Sequence, residues 1–240
     1  MSGRDGGTAY RFSGGYHRTG RWSKLDQPTD DGPLTSGVED QNASLDVVRA
    51  LGRVDHVFNE DLFASLSAGY AGGTSEFYVF GALGDYSLPF GSGFVRADIG
   101  WKGLHLRSFA NFFRAEAGPW LQYKNARDLS TSVVDDIVDV ELEQKASFDT
   151  GAVTHSVNAG VGYRYKHTEW GYINNGAPVD QHHANVFGQE TAKIGPVSVV
   201  GSLRVDRHPL VDVKHTISPR GAAVLRVAER TSVRATAGTS

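Results

Sequence analysis

The sequence predicts an all-β protein, an antiparallel meander of about eleven long strands that cross a membrane. Three observations lead to this fold class: apolar and polar residues alternate, the alternating arms are long, and long connections alternate with short ones. No stretch approaches the roughly 18–20 consecutive apolar residues of a membrane-spanning helix, which excludes a helical membrane protein. Strands of a membrane barrel do not show such a stretch, because only every second residue faces lipid.

The clearest alternation is in the hairpin Asp136–Lys166. Side chains of a strand point to alternate faces, so its first arm has one apolar face and one charged face. The apolar face carries Val138, Val140, Leu142, Ala146 and Phe148, and the charged face carries Asp139, Glu141, Glu143, Lys145 and Ser147. The turn signal Asp149-Thr150-Gly151 leads into a second alternating arm. Each arm exceeds the ~5–6 residues of a typical soluble strand and suits the ~9–11 residues of a tilted strand in a bilayer.

The other strands follow from the same period of two, with polar or glycine-rich segments between them. The predicted strands are Thr8–Trp22, Ser44–His56, Leu62–Tyr70, Gly93–Lys102, Leu104–Arg114, Asp136–Phe148, Ser156–Lys166, His182–Lys193, Val197–Asp206, Ile217–Val227 and Thr231–Ser240. The fifth of these is the least regular, because Phe112 and Phe113 are adjacent.

The connections between the predicted strands alternate strictly between long and short. The short ones lie near Asp61, Gly103, Thr150, Gly195 and Glu229. Barrels of bacterial outer membranes have short periplasmic turns and longer extracellular loops, whereas a soluble Greek-key sandwich has no reason to keep this alternation. We therefore expect the short turns to face the periplasm and the chain to start on that side.

The composition excludes several other functions. A formal net charge of −3 argues against a nucleic-acid-binding protein, and the absence of cysteine excludes disulfides and thiolate metal sites. Adjacent His182 and His183 point to opposite faces of a strand and cannot chelate one metal ion together. The three acidic residues Asp139, Glu141 and Glu143 share one solvated strand face, where nothing predicts the raised pKa of an acid catalyst. We expect no enzyme activity, no bound metal and no cofactor.

Charged residues recur on the side of the strands that the apolar residues leave free, which would line the lumen of a barrel. We take as candidates for contacts within the lumen Arg96, Asp98, Arg107, Asp139, Glu141, Glu143, Arg164, Arg204, Asp206, Arg220, Arg226 and Arg234. Two interpretations remain open: a polar wall around water, or a wall that hydrogen-bonds a plug filling a wide barrel.

Aromatic residues are concentrated in two connections that we expect to be extracellular loops, Gly72–Gly91 and His167–Gln181. Aromatic rings can cap apolar or planar ligands. The ligand-binding candidates are Phe77, Tyr78, Phe80, Tyr86, Phe90, Trp170 and Tyr172. The alternative is that the first of these loops packs on its neighbours or on lipopolysaccharide.

The last third of the chain resembles a known family. Ser218-Pro219-Arg220, the run Thr231–Gly238 and the strand Gly201–Asp206 resemble strand motifs in the barrel of TonB-dependent outer-membrane receptors. Val161–Tyr165 is also typical of that family. The resemblance extends over most of the chain in the rhythm of strands and turns, and in letters over about residues 201–238.

The resemblance implies a barrel of about 22 strands, occluded by an N-terminal plug, in the outer membrane of a Gram-negative bacterium. Such receptors import scarce ligands such as iron–siderophores, cobalamin or glycans, powered through TonB. The sequence shows no plug domain, no TonB box and no signal peptide, so we expect residues 1–240 to be a partial barrel domain. Its partners are then outer-membrane lipid, the remaining barrel strands, the plug and, through the plug, the TonB complex. A passive porin-type channel and a soluble all-β glycan-binding protein are the alternatives.

Overall fold

One large antiparallel sheet contains most of the residues that the structure describes. The structure is a computed structural model that describes residues 1–20, 28–29, 32–33, 45–79, 84–119, 131–171, 174–209 and 216–239. The strands are β1 Ser2–Asp5, β2 Thr8–Thr19, β3 Pro28–Thr29, β4 Gly32–Pro33, β5 Leu45–Val57, β6 Leu62–Val79, β7 Gly84–Trp101, β8 Leu104–Pro119, β9 Thr131–Thr150, β10 Val153–Trp170, β11 Val179–Ile194, β12 Val197–Arg207, β13 Thr216–Ala228 and β14 Thr231–Gly238. Strands β3 and β4 pair only with each other.

The large sheet has the order β1-β2-β5-β6-β7-β8-β9-β10-β11-β12-β13-β14, so its strands pair in the order in which they follow along the chain, with β3 and β4 left out. This confirms the all-β antiparallel meander, with 12 strands in the sheet rather than about eleven. The strand that the sequence did not reveal is β1, where Gly3 lies opposite Tyr10. It shows no apolar alternation because the Tyr10 ring covers Gly3: a Cβ added there would lie 2.4 Å from the Tyr10 hydroxyl oxygen.

The prediction of a long loop over Gly72–Gly91 was wrong, because β6 continues to Val79 and β7 begins at Gly84. The glycines that suggested a loop allow close packing within this hairpin instead. A Cβ added at Gly73 would lie 1.8 Å from the carbonyl oxygen of Asp46 on β5, and one at Gly72 would lie 2.4 Å from the Tyr70 hydroxyl. Glycine inside a strand often marks such a close approach of a backbone or a ring.

The other predicted long connections also shorten. Strand β8 extends to Pro119 and β9 starts at Thr131, while β10 extends to Trp170 and β11 starts at Val179. The strict alternation of long and short therefore fails at one place, since the β5–β6 and β6–β7 connections each contain four residues. The remaining short turns keep the predicted positions, and Gly103, Gly151 and Gly195 in them have positive φ values of 82°, 64° and 52°.

The sheet has two chemically different faces, which we call the apolar face and the charged face. Residues directly opposite each other in paired strands share a face. The pairing register therefore assigns the residues of every strand to the apolar face or to the charged face. Large apolar side chains more than half exposed on the apolar face include Tyr16, Leu66, Tyr70, Val161 and Val199. Among the described residues only one hydrophobic side chain, Ala115, is buried.

A soluble protein buries its apolar face against a second layer, and the described residues of this chain form no such layer over the sheet. The soluble glycan-binding alternative therefore conflicts with the arrangement of the described strands. Within those residues no helix is long and apolar enough to cross a membrane. From β5 to β13 the strands have 11 to 20 residues, which is enough for each of them to cross a bilayer.

Candidate functional site

The register brings the charged residues predicted to line a lumen onto the charged face. Arg53 lies opposite Ser67, and Ser67 lies opposite Arg96. Further along the same row, Asp139 lies opposite Arg164. All twelve lumen candidates occupy this face by register: Arg96, Asp98, Arg107, Asp139, Glu141, Glu143, Arg164, Arg204, Asp206, Arg220, Arg226 and Arg234.

An ion-pair cluster occupies the charged face of β8, β9 and β10. Arg107 Nη2 donates to Glu141 and, at 2.8 Å, to Glu143. Lys145 Nζ lies 3.4 Å from Glu143, and Arg164 Nε donates to Asp139 at 2.7 Å. Glu143 is only 5% exposed, so its charge is stabilised by Arg107 and Lys145 rather than by water. Three carboxylates at every second position of one strand repel each other, and these cations offset that repulsion.

A second pattern is an arginine paired with an aspartate two residues later on the same strand. Arg53 binds Asp55 on β5, Arg96 binds Asp98 on β7, and Arg204 binds Asp206 on β12, with N–O distances of 2.8 Å in each pair. The sequence carries this signal as Arg-x-Asp on three alternating arms, because residues i and i+2 share a strand face. The pairing itself was not among the predictions from the sequence.

The arginines of β13 and β14 differ from those of the central strands. Within the described residues, Arg220, Arg226 and Arg234 have no ion pair. The side chain of Arg220 lies across β14, since a Cβ added at Gly238 would lie 2.8 Å from Arg220 Cγ. These guanidinium groups are available to anions from outside this sheet.

Five of the predicted ligand-binding aromatics lie on strands rather than in a loop. Phe77 and Tyr78 belong to β6, and Tyr86 and Phe90 belong to β7, because this hairpin extends beyond the glycines that suggested a loop. Trp170 is the last residue of β10. Phe80 and Tyr172 lie outside the described residues.

The charged face also carries aromatic residues that the sequence analysis did not assign to it. Phe90 stacks on Phe113 with ring centroids 6.4 Å apart. The register places Phe94 opposite Asn111 and Phe109 opposite Asp139, so both rings belong to this face as well. The sequence could have predicted this placement, because each phenylalanine is an even number of residues away from Arg96 on β7 or from Arg107 on β8. They give the charged face a local apolar patch.

Among the described residues, no group of three His, Asp or Glu side chains could hold a metal ion. His182 and His183 occupy opposite faces as predicted: His182 Nδ1 lies 2.7 Å from the Tyr163 hydroxyl, whereas His183 packs edge-on against His208.

An unclosed meander of long strands, with one face suited to lipid and the other covered by ion pairs, is the architecture of part of an outer-membrane β-barrel wall. Comparison with solved structures finds outer-membrane proteins of similar fold. The alcaligin outer membrane receptor FauA from Bordetella pertussis matches with a TM-score of 0.64 at 12% identity, over 96% of this chain and 38% of that chain. The siderophore receptor PirA from Pseudomonas aeruginosa matches with a TM-score of 0.61 at 13% identity, over 99% and 37% of the two chains.

The outer membrane transporter YddB from Escherichia coli gives a TM-score of 0.64 at 15% identity, over 96% of this chain and 35% of that chain. The chain therefore spans less than two fifths of the length of these three proteins. No protein-family model matches the sequence, and no curated protein matches it. The likeness confirms, at the level of the fold, the resemblance to the barrels of TonB-dependent receptors.

Proposed function

We propose that residues 1–240 are part of the β-barrel domain of a TonB-dependent receptor in the outer membrane of a Gram-negative bacterium. One observation carries this proposal: twelve meandering strands keep an exposed apolar face in register with a charged face, which carries ion pairs on strands between β5 and β12. The apolar face matches lipid, and the charged face matches a polar interior. The rest of the barrel and an N-terminal plug then belong to the same receptor.

In this receptor the charged face contacts the plug, and the aromatic residues contact the ligand. The ion pairs of β8, β9 and β10 fix charged groups at defined positions, so that a folded plug can form hydrogen bonds with them. Phe90 and Trp170, with the other predicted aromatics, are the candidates for contact with a planar or apolar part of the ligand. FauA and PirA are receptors for siderophores, so an iron–siderophore is the first ligand to test, followed by cobalamin and glycans.

The test is uptake of labelled iron–siderophores, cobalamin and oligosaccharides by cells that carry or lack the complete gene, with and without an uncoupler. Energised import requires uptake that depends on the gene and stops when the inner-membrane proton gradient collapses. Gene-dependent flux that the uncoupler leaves unchanged would show a passive channel instead. That second candidate is favoured by one observation, because an ion-paired face such as Arg53–Asp55 also suits a wall around water.

A further inference from the structure

We call the part of the charged face that lies over β6, between β5 and β7, the basin. Strand β6 forms its floor and contributes only small side chains there, Ser65, Ser67 and Gly69. Neighbouring strands lie about 4.8 Å apart, so the two flanking strands are about 10 Å apart across this floor. A basin of that width accommodates a carboxylate-sized group between the side chains of β5 and β7.

Residues of like charge lie on opposite sides of β6 in two successive rows of the sheet. In one row Arg53 and Arg96 flank Ser67, and in the next row Asp55 and Asp98 flank Ser65. Each arginine is bound to the aspartate of its own strand, so the same pair occurs on both sides of β6.

The aspartates orient the two guanidinium groups without using all their donors. Arg53 donates from Nε and Nη2 to Asp55 at 2.8–3.0 Å, and Arg96 donates from Nε and Nη2 to Asp98 at 2.8 and 3.1 Å. A guanidinium has five N–H donors, so the Nη1 groups remain available. Both arginine side chains are 57% exposed, which leaves those donors accessible from the interior.

Aromatic rings bound the basin at its two ends. The Phe94 ring lies over Gly69, since a Cβ added there would lie 2.4 Å from Phe94 Cε1. At the other end, the Phe63 ring lies over Gly100 on β7 and packs edge-on against His105. The small side chains of β6, the two Arg–Asp pairs and the two rings thus border the basin.

The third Arg-x-Asp pair lacks this arrangement. Arg204 lies opposite Phe187 on β11 and opposite Ser218 on β13, so no second guanidinium faces it across a neighbouring strand. The doubled arrangement around β6 is therefore not a consequence of the Arg-x-Asp motif alone.

We propose that this basin binds a carboxylate, which the guanidinium groups of Arg53 and Arg96 bridge. The proposal rests on the proposed function, in which the charged face lines the barrel interior. Bridging by two preoriented guanidinium groups supplies charge-assisted hydrogen bonds on both sides of the carboxylate. The carboxylate has two possible sources: a small molecule in the barrel, or an Asp or Glu side chain of the polypeptide that fills it.

The experiment measures succinate binding by isothermal titration to the protein expressed from its complete gene and purified in detergent. Arg53→Gln/Arg96→Gln removes both charges, and Arg53→Lys/Arg96→Lys keeps the charges but removes the planar forks. Arg114→Gln is the control, because Arg114 forms a comparable pair with Asp136 on the apolar face. Heat-modifiable mobility on gels and the urea midpoint report folding for every variant.

Three outcomes decide between the sources and the proposal. A small-molecule source is supported if the glutamine variant loses succinate affinity by about tenfold or more. The lysine variant should then lose part of the affinity, and Arg114→Gln should lose none. If the wild type does not bind succinate, a lower urea midpoint in the glutamine variant alone supports a polypeptide carboxylate. Equal succinate affinity in all variants, or no binding together with equal midpoints, overturns the proposal. None of these measurements depends on uptake, so failure of the energised-import proposal would be seen separately.

Discussion

Arginine at position 110 should destabilise the membrane-inserted protein far more than arginine at position 111. Ala110 lies on the apolar face between Val95 and Val138, and the next residue, Asn111, lies on the charged face. Both substitutions add the same side chain at the same depth of the same strand. The difference between them therefore isolates the environment of each face.

The magnitude follows from the position of Ala110 along β8. It lies seven residues beyond Gly103 in the turn, and a strand tilted by about 45° rises roughly 16 Å over that length. That depth falls inside the apolar band of about 25 Å, close to its middle. An arginine on the lipid face there costs about 2–4 kcal/mol. At position 111 the new guanidinium lies diagonal to Asp135 and Asp139, so we expect a change within about 1 kcal/mol.

The assay is reversible urea unfolding of the full-length protein in lipid vesicles, with the wild type and each single variant. Leucine at position 110 is the matched control, since it adds volume on the same face without charge and should leave the free energy of unfolding nearly unchanged. Equal losses for Ala110→Arg and Asn111→Arg, or a larger loss for Asn111→Arg, would refute the assignment of the two faces.

Three further predictions concern packing, charge and closure. Gly160→Ala should lower the free energy of unfolding by about 1–3 kcal/mol, because the added Cβ would lie 2.6 Å from the Leu142 carbonyl oxygen. Gly188→Ala is the control: nothing lies within 4 Å of its added Cβ, so the same urea assay should show a change of at most about 0.5 kcal/mol. Arg107→Leu should cost about 1–3 kcal/mol by removing a cation from the buried Glu143, and adding Glu143→Gln should recover part of that loss in a double-mutant cycle. The 240-residue chain alone should aggregate and support no uptake of an iron–siderophore. Its edge strands β1 and β14 each have one neighbour, so the backbone groups on their outer edges have no hydrogen-bond partners in lipid. Stable pores formed by this chain in planar bilayers would contradict that prediction.

The alternation of side chains carries enough information to predict most strands and both faces. Leu142 and Glu143 are adjacent in sequence and lie on opposite faces, as the period of two requires. The ends of the strands were less predictable, because a glycine indicates a turn and a close packing contact equally well. Gly72 and Gly73 belong to the second kind, and only the positions of Tyr70 and of the β5 backbone reveal it.

The contacts between strands required the register, which no local pattern in the sequence gives. Arg107 meets Glu141 and Glu143 across strands, although more than thirty residues separate them along the chain. By contrast, the pair Arg96–Asp98 lies within one strand, and its two-residue spacing was visible in the sequence. The candidate site is thus predictable where it is local to a strand and unpredictable where it depends on which residues face each other.

The two faces also determine where this sheet can be stable. Glu143 and its cations tolerate a polar interior, while exposed Leu66 and Tyr70 need an apolar surrounding, and no single solvent satisfies both sides of one layer. A bilayer outside and water or polypeptide inside satisfy both, provided that the backbone groups of β1 and β14 also find partners. The same condition explains why the charged face is organised into ion pairs: each pair reduces the penalty of removing charges from water when an inner polypeptide covers them. Within the described strands Arg220 has no such pair, so no neighbouring carboxylate reduces this penalty there.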